Sequence, residues 1–264
     1  MLSVNDIYKV FNPGTVNEKV ALRNVTVTLE EGDFVTLIGG NGAGKSTLLN
    51  SIAGVFPIDK GSIVIDGVDV TKLSEHKRAS LLGRVFQDPM MGTAANMWIE
   101  ENLALAFRRG KKRTLKWGIT HKERMMYKEL LEPLGLGLEN RLTTKVGLLS
   151  GGQRQALTLL MATLKRPKLL LLDEHTAALD PKTAQKVLEL SDQFIKEGNL
   201  TTLMITHNMR DAIKYGNRLI MMHDGHIILD IKGEEKKKLT VENLLERFGK
   251  VSGEEFANDR ALLA

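Results

Sequence analysis

The sequence contains no cysteine, which excludes disulfides, iron–sulfur clusters and thiolate zinc sites. It also has no apolar run approaching the ~18 residues of a membrane-spanning helix. The densest stretch, Ala156–Leu164, stops at Lys165 and Arg166. The opening residues, MLSVNDIYK, lack the basic start and apolar core of a secretory signal. Internal repeats and low-complexity segments are missing too. These absences lead to the expectation of a soluble, cytoplasmic protein. With 264 residues, 42% hydrophobic and 26% charged, the chain has the composition of a globular protein of one large or two modest domains.

The net charge of +5 comes from 37 Lys+Arg against 32 Asp+Glu. Six of the basic residues crowd into RRGKKRTLK, from Arg108 to Lys116, and without them the balance is 31 against 32. The charge therefore belongs to one segment. It has two readings: a solvated loop, or a contact for anionic headgroups or a membrane subunit, with Trp117 closing it.

Hydropathy changes character along the chain. Val25, Val27 and Leu29 alternate with polar residues, as in half-buried antiparallel strands. Phe34–Ile38 is a continuous apolar run, followed by glycines and a helical pattern from Lys45. A strand is expected at Ile63–Ile65, turning at Asp66-Gly67. Residues 88–164 hold helical patterns at Met97–Phe107, His121–Leu131 and Gly152–Leu164. Lys168–Leu172 and Thr201–Ile205 suit buried parallel strands. Arg218–Asp230 suits a hairpin turning at Asp224-Gly225. Thereafter the chain is charged, with one short helix expected at Thr240–Phe248.

Three motifs carry chemistry. Gly39-Gly40-Asn41-Gly42-Ala43-Gly44-Lys45-Ser46-Thr47 fits the phosphate-binding loop G-x-x-x-x-G-K-[ST] between a strand and a helix. Glycines let the backbone N–H groups wrap phosphate oxygens, and the helix adds its positive end. Lys45 is expected on the β- and γ-phosphates and the Ser46 hydroxyl on Mg²⁺. Leu169–Leu172 ends in Asp173-Glu174, an acidic pair where α/β sheets place ligands. Asp173 is expected to hold Mg²⁺ through water and Glu174 to polarise a water for attack. The third motif is Leu149-Ser150-Gly151-Gly152-Gln153 before an amphipathic helix. Ser150 is either a plain N-cap or part of a second anion cradle. One chain has no need of two such cradles unless the second serves a neighbouring subunit.

In this order the motifs resemble those of the ATP-binding-cassette (ABC) ATPases, over nearly the whole chain to about residue 230; Leu149–Gln153 matches that family's own signature. The resemblance implies further roles. Gln87 would reach Mg²⁺ and sense the membrane partner, Asp180 would lie in the loop that crosses between subunits, and His207 would contact the γ-phosphate. Phe11 would stack on adenine, with Tyr8 as the competing stacker. Two positions depart from the family pattern. His175 replaces a common proline beside Glu174; it is expected to take no part in the chemistry, although a histidine facing the site would titrate near neutral pH. Gly40 also stands where many relatives have proline, with little expected consequence.

The implied fold is α/β: a P-loop NTPase (RecA-like) core with an N-terminal antiparallel β subdomain and an inserted α-helical subdomain. The expected division is a single ATPase domain over 1–230, with 1–87 and 165–230 as β subdomain and core and 88–164 as the helical subdomain. A short, partly helical, charged tail would cover 231–264. The implied activity is Mg²⁺-dependent ATP hydrolysis by a head-to-tail homodimer, with Ser150, Gly151, Gly152, Gln153 and Asp180 reaching the partner's nucleotide. Integral-membrane permease subunits would receive the motion at the inner face of the cell membrane. A stand-alone cassette resembles importer ATPases, which implies an extracytoplasmic substrate-binding protein. The segments Gln87–Thr93 and Glu174–Asp180 are similar to uptake systems for aromatic or hydrophobic amino acids. The stretch after His207 is too short for the regulatory domain of some sugar importers. Two alternatives stay open: an efflux ATPase with separate membrane subunits, and a non-transport ATPase acting on nucleic acid or the ribosome. Against the latter, the stretch between Gln87 and Leu149 is short and broken by Pro133 and glycines, so nucleic acid is not an expected partner.

Overall fold

The computed structural model describes residues 1–110 and 118–252. Most of the basic run 108–116, and Trp117, lie outside them. Of its described members, Arg108 pairs with Glu123 at 2.8 Å and Arg109 reaches the Ala162 carbonyl at 3.5 Å.

Two sheets organise the chain. The first is antiparallel, in the order β2-β1-β4-β5, from Leu2–Phe11 (β1), Lys19–Leu29 (β2), Lys60–Ile65 (β4) and Val68–Asp69 (β5). Its alternating sequence buries one face: Leu2 opposes Leu29 and Val4 opposes Val27. The second sheet runs β10-β9-β3-β8-β7-β6. Its members are Phe34–Ile38 (β3), Leu82–Val85 (β6), Leu169–Asp173 (β7), Thr201–Ile205 (β8), Arg218–His223 (β9) and His226–Lys232 (β10). All its pairings are parallel except β9 with β10. Strands β3 and β8 are buried at every residue, as strands covered on both faces must be. Their hydroxyls are satisfied: the Thr36 Oγ1 donates to Ala212 O at 2.9 Å and the Thr202 Oγ1 to Leu200 O at 3.0 Å.

The helices Lys45–Ala53 (α1) and Glu75–Arg78 (α2) precede a helical region made of Ile99–Phe107 (α3), His121–Leu131 (α4) and Gly151–Thr163 (α5). Here Ile99, Leu103, Tyr127, Leu131, Leu157 and Leu160 share one core with Val85 and Leu172 of the sheet. Pro181–Gly198 (α6) is the longest helix described, and its sequence holds no apolar run. Asp180 caps it, Pro181 occupies its first turn, and Val187, Leu188, Ser191 and Ile195 form its buried face. The helix Met209–Lys214 (α7) follows β8. The expected hairpin turn is found, with positive φ at both Asp224 (42°) and Gly225 (76°), the type I′ signature. Among the described residues no helix is long and apolar enough to cross a membrane.

Beyond residue 230 the chain continues through Glu234–Lys237 (α8) and Val241–Ser252 (α9). Leu244 and Phe248 of α9 are fully buried against Ile38, Met209, Leu219 and Met221. The Phe248 ring also meets His223 edge-on, with centroids 5.6 Å apart. Phe248→Ala is therefore expected to cost about 3–5 kcal/mol of stability, read as a lower urea midpoint; an unchanged midpoint would mean α9 is not part of the folded unit.

Candidate active site

The sheet order decides which loops meet. Strands β3, β8, β7 and β6 are consecutive parallel neighbours, so their C-terminal ends share one edge, where open α/β sheets place ligands. The glycine loop follows β3, His207 follows β8, Asp173 ends β7 with Glu174 next to it, and Gln87 follows β6.

The glycine loop is tightly constrained. Gly39 (φ 151°) could not carry a Cβ, which would lie 2.2 Å from Met222 O. Gly44 (φ 100°) caps α1, and no side chain caps the helix and no acid sits in its first turn. Its N–H groups are thus available to an anion. Lys45 is buried, and its Nζ donates to Gly39 O at 2.8 Å and Gly40 O at 3.0 Å. Gly40, unlike Gly39, Gly42 and Gly44, does not adopt a positive φ. Its carbonyl accepts from Lys45 Nζ and from Ala43 N.

Glu174 adopts φ 45°, an uncommon conformation for a side chain of this size, and its N–H donates to Ile205 O at 3.1 Å. This turn brings the Glu174 carboxylate to His207, with Oε1 2.6 Å from Nε2. Asp173 lies beside Arg84, 3.6 Å away. Burial raises its pKa above the ordinary value, and Arg84 opposes that shift. His175 faces the interior. It is buried, with Nε2 2.9 Å from Ser191 Oγ. Because Ser191 Oγ already donates to Val187 O, Nε2 must be the donor, which fixes the tautomer. Burial pushes the His175 pKa down to about 4, so the side chain does not titrate near neutral pH.

One cavity of about 510 Å³ gathers much of the expected site: Asn41–Thr47 of the loop, Gln87, Glu174, His207 and Phe11, with Lys19 and Ala21 of β2. Phe11 is braced edge-on by Phe56, centroids 5.3 Å apart. Tyr8 does not line the cavity; its ring stands under Lys60 instead, 5.7 Å from Nζ. Lys19 escaped sequence reading because its place depends on strand register.

Ser150, Gly151, Gly152, Gln153 and Asp180 do not line this cavity but form a second cluster. Ser150 Oγ accepts from Gln153 N at 3.3 Å while Gln153 Oε1 accepts from Ser150 N at 3.2 Å, a capping box. Asp180 accepts from Thr183 N at 3.1 Å. Bonds from the Thr183 side chain and backbone hold its carboxyl below the ordinary pKa. Gly152 packs so closely on Thr183 that a Cβ would sit 2.1 Å from Cγ2, which brings the starts of α5 and α6 together. Gln155 of α5, fully buried, donates to Phe86 O at 2.9 Å and ties this helix to the residue before Gln87.

A glycine loop on an open helix end, with a carboxylate–histidine pair beside it, defines a P-loop ATPase. The chain belongs to the ABC transporter family, whose model matches residues 22–177, and it is an ATP-binding, ATP-hydrolysing subunit of a transporter. A tyrosine transport ATP-binding protein of Clostridioides difficile is 48% identical over 94% of this chain and 98% of its own length. A methionine import ATP-binding protein of Bartonella henselae is 35% identical, over 86% of this chain and 64% of its own. Among solved structures, the dimeric post-hydrolysis state of an ATP-binding cassette bound to ADP and Pi superposes with a TM-score of 0.75. It is 30% identical, covering 88% of this chain and 98% of that one.

His175 gives the fold a pH dependence. An unfolded histidine takes up its proton near 6.5, whereas the folded one does so only near 4. Its contribution is therefore complete above about pH 6.5 and is lost as the pH falls toward 4, at most about 3 kcal/mol. Replacing it by a side chain that does not titrate, His175→Gln, should flatten urea-unfolding stability across that window; an equally steep fall in the variant would assign the effect elsewhere.

Proposed function

We propose that the chain is the ATPase of an amino-acid importer, working as a head-to-tail homodimer beneath separate integral-membrane permease subunits at the inner face of the cell membrane. An extracytoplasmic binding protein would deliver the solute. The observation that carries the dimer is the second cluster: Ser150–Gln153 and Asp180 form paired helix starts outside their own chain's cavity, so a second copy is what can use them. Residues 1–230 would act as one cassette, with 88–164 as its inserted helical subdomain. The dimeric, ADP- and Pi-bound neighbour supports the arrangement, and the tyrosine-transport and methionine-import relatives support the solute class and direction.

In this proposal Glu174 acts as general base, oriented by His207 at 2.6 Å, while Lys45 and the loop N–H groups hold the phosphates. Phe11 stacks on the adenine, and Ser150, Gly151, Gly152, Gln153 and Asp180 close on the partner's γ-phosphate. The donors for Mg²⁺ are hard oxygens from Ser46, Gln87 and Asp173. Such a donor set suits an ion held by substrate phosphates and one or two carboxylates. Bound there, Mg²⁺ would neutralise charge on the β- and γ-oxygens. Among the described residues, six of the nine large exposed apolar side chains, including Met91, Trp98 and Leu105, lie between residues 90 and 148, in the stretch that follows Gln87 and holds the helical region. That is the surface offered to the permease.

Two measurements test the proposal. Glu174→Gln should bind ATP as the wild type does and lose ~10²–10⁴ in turnover, whereas Lys45→Ala should lose binding itself; wild-type turnover in Glu174→Gln would remove the base. Tagged chain purified from native membranes should bring down a multi-span protein, and Leu105→Glu should lower that recovery. Recovery of ribosomes or nucleic acid instead would overturn the transport reading.

A further inference from the structure

Phe11 ends β1 and Lys19 begins β2, and the antiparallel register sets them directly opposite each other. Opposed residues of such a pair send their side chains to the same face, and both of these line the cavity. The connection between them folds on itself: Gly14 N donates to Glu18 Oε2 at 2.6 Å and Thr15 Oγ1 to Asn12 O at 2.8 Å. The acid next to Lys19 in sequence is thus engaged within the loop. The Lys19 ammonium stands over the middle of the glycine loop, where a Cβ on Gly42 would lie 3.4 Å from its Nζ. Among the described residues no carboxylate forms an ion pair with it. Lys45, by contrast, is buried and directs N–H groups to the Gly39 and Gly40 carbonyls.

A nucleoside triphosphate brings several negative charges into a cavity that already holds the Glu174 carboxylate. One lysine behind the loop leaves the outer side of the phosphate chain facing Gly42 and the start of β2. We propose that Lys19 is a second phosphate-binding cation of this site, contacting the phosphate chain above Gly42 while Phe11, its cross-strand partner, faces the base. The assignment rests on the nucleotide site proposed above. Being exposed and mobile on a four-carbon stem, Lys19 acts as a point charge that follows the phosphates, and its contribution is sensitive to salt.

The test is ATP and ADP affinity, measured by calorimetry on the full chain at about 50 mM and about 500 mM salt. Lys19→Ala should weaken both nucleotides about tenfold at low salt, the lower end for a charged hydrogen bond, with the gap shrinking at high salt. Lys19→Arg, which keeps a cation, should stay within about twofold of wild type. Wild-type affinity in Lys19→Ala, with Lys45→Ala still failing to bind, would overturn the role of Lys19 and leave the nucleotide site standing. A loss in Lys19→Ala that persists at high salt, or that Lys19→Arg shares, would mean the side chain only packs on Phe11, and would also overturn it. No nucleotide binding by the wild type would overturn both proposals.

Discussion

A strand without a polar face has to be covered on both sides, and β3 and β8 are such strands at every residue. Strand β7 is one up to Leu172. Helices and the first sheet supply the cover, which leaves only the strand ends in reach of a charged ligand. The neighbour order β3-β8-β7-β6 then decides the chemistry. It sets the glycine loop beside His207, His207 beside Glu174, and Glu174 beside the segment of Gln87. The pairing of β7 with β8 is what brings Glu174 within 2.6 Å of His207.

In the proposed dimer the same edge takes its remaining groups from a second chain. The capped starts of α5 and α6 are locked to each other through Gly152 and Thr183, and they do not line the cavity. They are nevertheless tied to it mechanically, because Gln155 holds the Phe86 carbonyl just before Gln87. In that dimer a shift of the segment between β6 and α3 would reach the start of α5 through this bond. In the proposed dimer this joins the surface offered to the permease to the cluster that closes on the partner's ATP. ATP can drive that closure only by binding the closed state more tightly than the open one.

Local features were legible in the sequence. The glycine loop, the buried strands, the Asp224-Gly225 turn and the Ser150 cap depend on residues within one turn or strand of each other. Features set by register or by backbone reversal were not. The contact of Glu174 with His207 needs the strand order, and the inward turn of His175 follows a positive φ at Glu174. Lys19 reaches the cavity because it pairs with Phe11 across a hairpin. Helix α6 did carry a signal, Asp180-Pro181 followed by a helical stripe, but its polar composition hid it from a search for apolar runs. The helix expected at Thr240–Phe248 is found as α9, but the charge around it hid the burial of Leu244 and Phe248.

The central claim is that each cavity is completed by the Ser150 cluster of a second chain. Mixing two damaged chains tests it most directly: Lys45→Ala, with a disabled cavity and an intact cluster, and Ser150→Arg, with the reverse. A mixed dimer holds one fully intact site and one doubly disabled site. Each variant alone should hydrolyse ATP poorly, and the mixture should regain activity. A mixture as inactive as its components, or full activity in Ser150→Arg alone, would contradict the account.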